Sequence, residues 1–174
     1  SEMCIRDRNS IIQEKGYPSV FVYFIVKGCI QISALDADMQ EYVIEINVEE
    51  QWCSDLKSFS SGNPSEQLLT ALEDTIVLCI HKKSFYKLIK TVPQFSEVYN
   101  YILEDYFFYQ VNRIQSFITM NASERLDWIR RHRPELLHRI SSKKMASYLG
   151  IHKDVYSKLK KSKLMEKNSS FKDS

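Results

Sequence analysis

Lys143, Lys144, Lys153, Lys158, Lys160 and Lys161 crowd one short stretch of this chain, and cations at that density attract phosphate. The apolar residues between them fall at Met145, Leu149, Ile151, Tyr156 and Leu159. Ala146 is small enough for close helix approach, and Gly150 can take the positive φ that ends a first helix. This is the spacing of two short helices crossing at a steep angle about a glycine turn. With lysines on the outer face, such a pair reads as a DNA-binding element. The same spacing also suits two core helices of another α-helical domain.

Charge is distributed to match. From Arg139 to Ser174 there are ten Lys/Arg and three Asp/Glu, which leaves 14 against 19 for the rest of the chain. A basic end on a mildly acidic body suits a polyanionic partner for that end alone. Apolar content of 44% is ample for a packed core, yet no apolar run is long enough to span a membrane and no secretion signal is apparent. Cys4, Cys29, Cys53 and Cys79 lie far apart and form no disulfide, metal or iron–sulfur pattern. The chain reads as cytoplasmic, without metal or other cofactor. Asp55, His81, His132, His138 and His152 are scattered, with neither nucleophile–base spacing nor a glycine-rich phosphate loop. No catalytic residues are therefore expected.

These basic residues need elements to position them. Met3-Cys4-Ile5-Arg6-Asp7-Arg8 resembles a translated sequencing adapter, so residues 1–8 are set aside as a scar and the native start is expected to be missing. Residues 9–92 read as an antiparallel β-roll. Val20–Val26 is a continuous buried-strand run, Cys29–Leu35 and Glu41–Asn47 alternate, and Leu68–Ala71 and Ile76–Ile80 form another pair about Glu73-Asp74. In Glu41–Asn47 the apolar set is Tyr42, Ile44 and Ile46. Trp52–Ser65 reads as a connection or a binding loop. After a short helix at Ser84–Lys90, a long helix is expected at 93–120. Leu103, Phe107, Gln110, Ile114 and Phe117 recur in it at heptad-like spacing, as a seam suited to a second copy of the chain or to burial within one chain. Asn121 and Glu124 make a capping box that opens the next helix. Residues 121–165 then form the helix-turn-helix domain, and 166–174 a frayed tail. The fold class is α+β.

A roll, a long seam helix and a helix-turn-helix in that order resemble the Crp/Fnr family of transcription regulators. Phe24-Ile25-Val26-Lys27-Gly28 looks like that family's strand-and-glycine signature. Trp52–Phe59 sits where the family has its phosphate-binding segment, and Ala71–Thr75 resembles the following hairpin. Ser123-Glu124-Arg125 and Tyr148-Leu149-Gly150-Ile151 complete the likeness. It implies a cyclic-nucleotide-binding-like jelly roll, incomplete at its start, with a dimerising helix and a DNA-binding domain. Cyclic-nucleotide binders of this kind use Gly-Glu and a later Arg in the loop, where this chain has Ser54-Asp55 and Ser65. Without the Arg, the charge-assisted contact to a cyclic phosphate is gone, so cAMP is not expected to bind and the effector is unknown.

By the same resemblance His152 stands at an N-cap, and Lys153, Asp154, Ser157 and Lys158 stand near base- or phosphate-contacting positions. Lys143, Lys144, Lys153, Lys158 and Lys161 would meet phosphates. Lysine lacks the fork that reads guanine, and Asp154 could accept from a cytosine amino group. Tyr156 is large for the inward position: it either buries its ring or splays the motif. Double-stranded DNA, a second copy and RNA polymerase are the partners implied. The rival is a dimeric interaction or ligand-sensing module that does not bind DNA.

Overall fold

The computed structural model describes residues 2–170, with side chains through Ser162. The chain divides into two compact units, Ser1–Glu104 and Asp105–Ser174.

Unit 1 is a pair of four-stranded antiparallel sheets. Its strands are β1 (Glu2–Arg6), β2 (Ile11–Gln13), β3 (Phe21–Lys27), β4 (Ile30–Leu35), β5 (Glu41–Asn47), β6 (Trp52–Cys53), β7 (Gln67–Ala71) and β8 (Thr75–His81). One sheet runs β1-β8-β3-β6 and the other β2-β7-β4-β5. The segment set aside as a scar is thus edge strand β1, paired with β8. A turn of helix, α1 (Leu56–Ser61), follows β6, and α2 (Lys82–Thr91) follows β8. The stretch 52–65 is therefore a short strand and a helical turn rather than a plain loop.

Tyr23, Ile25, Cys53, Val77 and Cys79 from one sheet meet Ile30, Ile32 and Leu69 from the other to form the interior. Alternation then sends Val22 and Ile80 to the outer face, where they pack on Phe59 and Phe85. Phe85 meets Phe59, Phe95 and Tyr99 edge-on, at centroid distances of 5.6, 5.4 and 5.1 Å. Edge-to-face pairs of this kind add to the stabilisation from area burial.

Two expectations need correction. The strands at 67–71 and 75–81 do not pair with each other. β7 pairs with β2 and β4, while β8 pairs with β1 and β3, so Leu72–Asp74 carries the chain between sheets. A connection of three residues between strands looks like a hairpin in sequence and is a sheet change here. In β5, Asn47 and Glu45 stand opposite the core residues Ile30 and Ile32, and Tyr42 is exposed. Ile46 is buried as expected, but Ile44 is an extra residue between the pairs Ile32–Glu45 and Ser33–Val43, and this bulge breaks the simple alternation that had favoured Tyr42, Ile44 and Ile46 together.

At Gly28, between β3 and β4, φ is +105°, and a Cβ there would lie 2.7 Å from the Cα of buried Thr75. The signature glycine is thus required twice over, by its dihedral and by the close approach of β8.

The long helix α3 (Pro93–Thr119) opens with proline at its first position, where the missing N–H costs nothing. In unit 2 the expected capping box is present. Asn121 Oδ1 accepts from the Ser123 and Glu124 N–H groups, and Glu124 Oε2 accepts from the Asn121 N–H at 2.8 Å. It opens α4 (Ala122–His132), followed by α5 (Leu136–Arg139), α6 (Ser142–Tyr148) and α7 (Lys153–Ser170). The expected tail is helical through Ser170, and 171–174 lie outside the described residues.

Candidate nucleic-acid interface and effector segment

The turn between α6 and α7 follows from its hydrogen bonds. Gly150, with φ +63°, donates to Ser147 O at 3.0 Å, and Ile151 donates to Ala146 O at 3.0 Å. This reciprocal pair is the Schellman closure that a left-handed glycine permits. His152 then starts α7: its carbonyl accepts from the Tyr156 N–H at 3.1 Å and its Nδ1 from the Asp154 N–H at 3.4 Å. The imidazole does here what a Ser or Thr cap does elsewhere.

Beneath the turn lies the core of unit 2. Met145, Ala146, Tyr148 and Leu149 are buried, as are Leu126, Trp128 and Ile129 of α4. Tyr156 is 2% exposed, so it buries its ring rather than splaying the helices, and that burial raises its phenol pKa. The inner face of α3 within this unit is polar. Tyr109 Oη lies 2.6 Å from Tyr148 Oη, Arg113 donates to Tyr148 O at 3.1 Å, and its guanidinium sits 4.1 Å from the Tyr148 ring centre. Arg133 donates to Glu135 at 2.7 Å, which keeps it charged despite burial.

With Tyr156 inward, helical geometry fixes the opposite face of α7. Asp154, Ser157, Lys158 and Lys161 recur at i, i+3, i+4 and i+7 and form one outward stripe. Asp154, Lys158 and Lys161 are exposed and Ser157 is half-buried, with exposed Lys153 on the flank. On α6, Lys143 is exposed and Lys144 half-buried. Of the residues singled out in sequence, Asp154, Ser157, Lys158 and Lys161 thus share one face of α7. Val155, 42% exposed in the first turn of α7, was missed. An apolar residue on a polar helix face is the signal that could have found it.

Of the seam expected on α3, Phe107, Ile114 and Phe117 are exposed. Within unit 2, the exposed apolar stripe is Phe107, Val111, Ile114 and Ile118, again at spacings of four, three and four. Phe107 and Ile114 were expected in it. Gln110 is half-buried, and Phe117 turns to its own unit, its ring centre 5.3 Å from the guanidinium carbons of both Arg113 and Arg125. Sequence spacing alone leaves a heptad frame ambiguous by one position. Leu103, in unit 1, is half-buried.

In unit 1, Ser54, Asp55 and Ser65 are buried and bonded among themselves and their neighbours. Asp55 caps α1, accepting from the Ser58 N–H at 3.1 Å and from Ser65 Oγ at 2.7 Å. Ser54 Oγ donates to Phe21 O at 3.0 Å. All three side chains, expected as candidates for an effector pocket, are thus engaged in hydrogen bonds within and beside the segment. Burial also pushes the Cys53 thiol up, and none of the four cysteines is in a disulfide. Among the described residues no cluster of His, Cys, Asp and Glu could hold a metal, and no helix is long and apolar enough to cross a membrane.

Residues 6–92 match the family described as the cyclic nucleotide-binding domain. No curated protein sequence matches the chain. Among solved structures, FixK2 from Bradyrhizobium japonicum is similar with a TM-score of 0.79 at 16% identity, over 96% of this chain and 85% of that one. TTHA1359, a transcriptional regulator of the CRP/FNR family from Thermus thermophilus, gives 0.70 at 14% identity, over 95% and 87%. A CooA mutant from Carboxydothermus hydrogenoformans gives 0.70 at 15% identity, over 92% and 75%.

Proposed function

Since this chain belongs to the cyclic nucleotide-binding domain family, we propose that it works as a Crp/Fnr-type transcriptional regulator: a cytoplasmic homodimer that binds DNA and catalyses no reaction. The observation that carries the reading is the outward stripe of α7, where Lys158 and Lys161 stand with Asp154 and Ser157 opposite the buried Tyr156. Lysines on that stripe and on α6 meet phosphates, while Asp154 and Ser157 reach base edges. RNA polymerase is the further partner that follows from such a role.

Dimerisation runs through α3. Phe107 is 62% and Ile114 58% exposed, and apolar side chains this exposed in register call for a partner helix. Two copies would present two reading helices to half-sites about 34 Å apart. A signal at the roll acts by population shift, changing how the α3 helices meet and so how the reading helices are spaced. Replacing both Phe107 and Ile114 by Lys is expected to yield a folded monomer in sedimentation. Its DNA affinity should fall to the sequence-independent level.

The decisive experiment is a mobility shift with genomic fragments across a salt series. Retarded fragments whose affinity falls linearly in log salt are expected. If no fragment is retarded at low salt while the protein sediments as a dimer, the chain is an interaction module and the DNA reading fails. Calorimetric titration with cAMP should give no heat of binding. Asp55 and Ser65 already bond each other, and no arginine stands between them in the chain to meet the phosphate.

A further inference from the structure

A cavity of about 450 Å³ opens into the roll of unit 1, and its lining does not include Ser54, Asp55 or Ser65. Its wall includes Ile12, Tyr17, Pro18, Phe21, Tyr23 and Cys79. Edge strand β1 closes one side and contributes Glu2, Cys4 and Arg6 to the lining. The volume falls in the range of small-molecule sites, and the floor is aromatic and apolar.

One polar atom stands in that floor. Tyr23 is 4% exposed, and its hydroxyl makes no hydrogen bond to any described residue. Among the described residues, the side-chain atoms sealed in without a partner are Ser10 Oγ and Arg125 Nε. The Tyr23 oxygen is not one of them, so it keeps an open face, and the space beside it is the cavity. A phenol at this depth without a partner forgoes a hydrogen bond that a ligand can restore. Burial, followed by the neighbouring Cys79, pushes its pKa up to about 12, so it enters the cavity as a donor. Burial likewise pushes the Cys79 thiol up to about 12, which leaves the site without a thiolate nucleophile.

We propose that this cavity is a ligand site for a small, uncharged, planar molecule carrying one hydrogen-bond acceptor, laid against the Phe21 and Tyr23 rings and oriented by the Tyr23 hydroxyl. The rings set the shape, and the single donor sets the orientation. The lining carries both signs, Glu2 and Glu14 with Arg6, so nothing in it calls for a charged ligand. The site stands on the cavity alone and does not depend on whether unit 2 binds DNA.

A matched pair of probes tests it: 2-acetylnaphthalene, which has one carbonyl, and 2-ethylnaphthalene, which has the same shape and no acceptor. Titrated calorimetrically into the full chain without DNA, the ketone should bind about tenfold more tightly. Tyr23→Phe should erase that preference and leave the hydrocarbon's affinity unchanged. Ile12→Trp should fill the space and abolish binding of both at an unchanged melting temperature. Equal affinities for the two probes, a preference that survives Tyr23→Phe, or no binding up to the solubility limit overturns the proposal. Should Ile12→Trp fail to fold, the Tyr23→Phe comparison decides by itself.

Discussion

Replacing Lys153 and Lys158 together by alanine will remove DNA binding while leaving the protein folded. Both side chains are exposed on α7, so their loss uncovers no core and strands no buried partner. In a dimer the double substitution deletes four cations from the contact surface. Each phosphate contact releases counterions, so the slope of log affinity against log salt should flatten by about 3 to 4. At near-physiological salt the loss should be on the order of 100-fold or more. Lys90→Ala in unit 1 should change neither quantity. A double variant that keeps the parental affinity and salt slope would remove α7 from the interface.

Gly28→Ala is expected to have the largest effect on stability. Two costs add at this position. An L-residue at φ +105° carries roughly 1–3 kcal/mol of backbone strain. The new methyl would also sit 2.7 Å from the Thr75 Cα, and backbone cannot turn aside as a side-chain end can. Overpacking of that kind costs a further 1–3 kcal/mol. The sum is about 4 kcal/mol, against the 5–15 kcal/mol typical of a whole domain. The melting temperature should fall by roughly 15 °C or more, read by circular dichroism. Gly16→Ala is the control. Its φ is +91°, but nothing lies within 4 Å of the added carbon, so only the backbone cost remains. If the two variants melt together, contact with Thr75 is not what demands the glycine.

Much of this was legible in the chain because it was written locally. The capping box at Asn121 and Glu124 satisfies its own helix end, and so do the Gly150 closure and the proline at the head of α3. Each involves residues within a few positions of one another, and spacing is enough to find it. The face of β5 was not legible, because Ile44 is an extra residue in β5 between the pairs Ile32–Glu45 and Ser33–Val43, and that bulge shows only against the partner strand β4. Nor was the split of β7 and β8 between sheets, since a short connection says nothing about which partner each strand prefers. The Tyr23 cavity arises where β2, β3 and β8 converge, and no sequence period reports such a convergence. In the effector segment, residue identity revealed a missing arginine. It could not reveal that Asp55 and Ser65 had found each other.

The grip of Tyr109 and Arg113 on Tyr148 has a mechanical meaning. Tyr148 stands two positions before Gly150, and the outward stripe through Phe107 and Ile114 lies on the far side of the same turns of α3. Within unit 2, then, one short rod is clamped to the turn that leads into α7. Twisting that rod from its outer side would drag the turn along as a single gear tooth, without any internal repacking to absorb the motion.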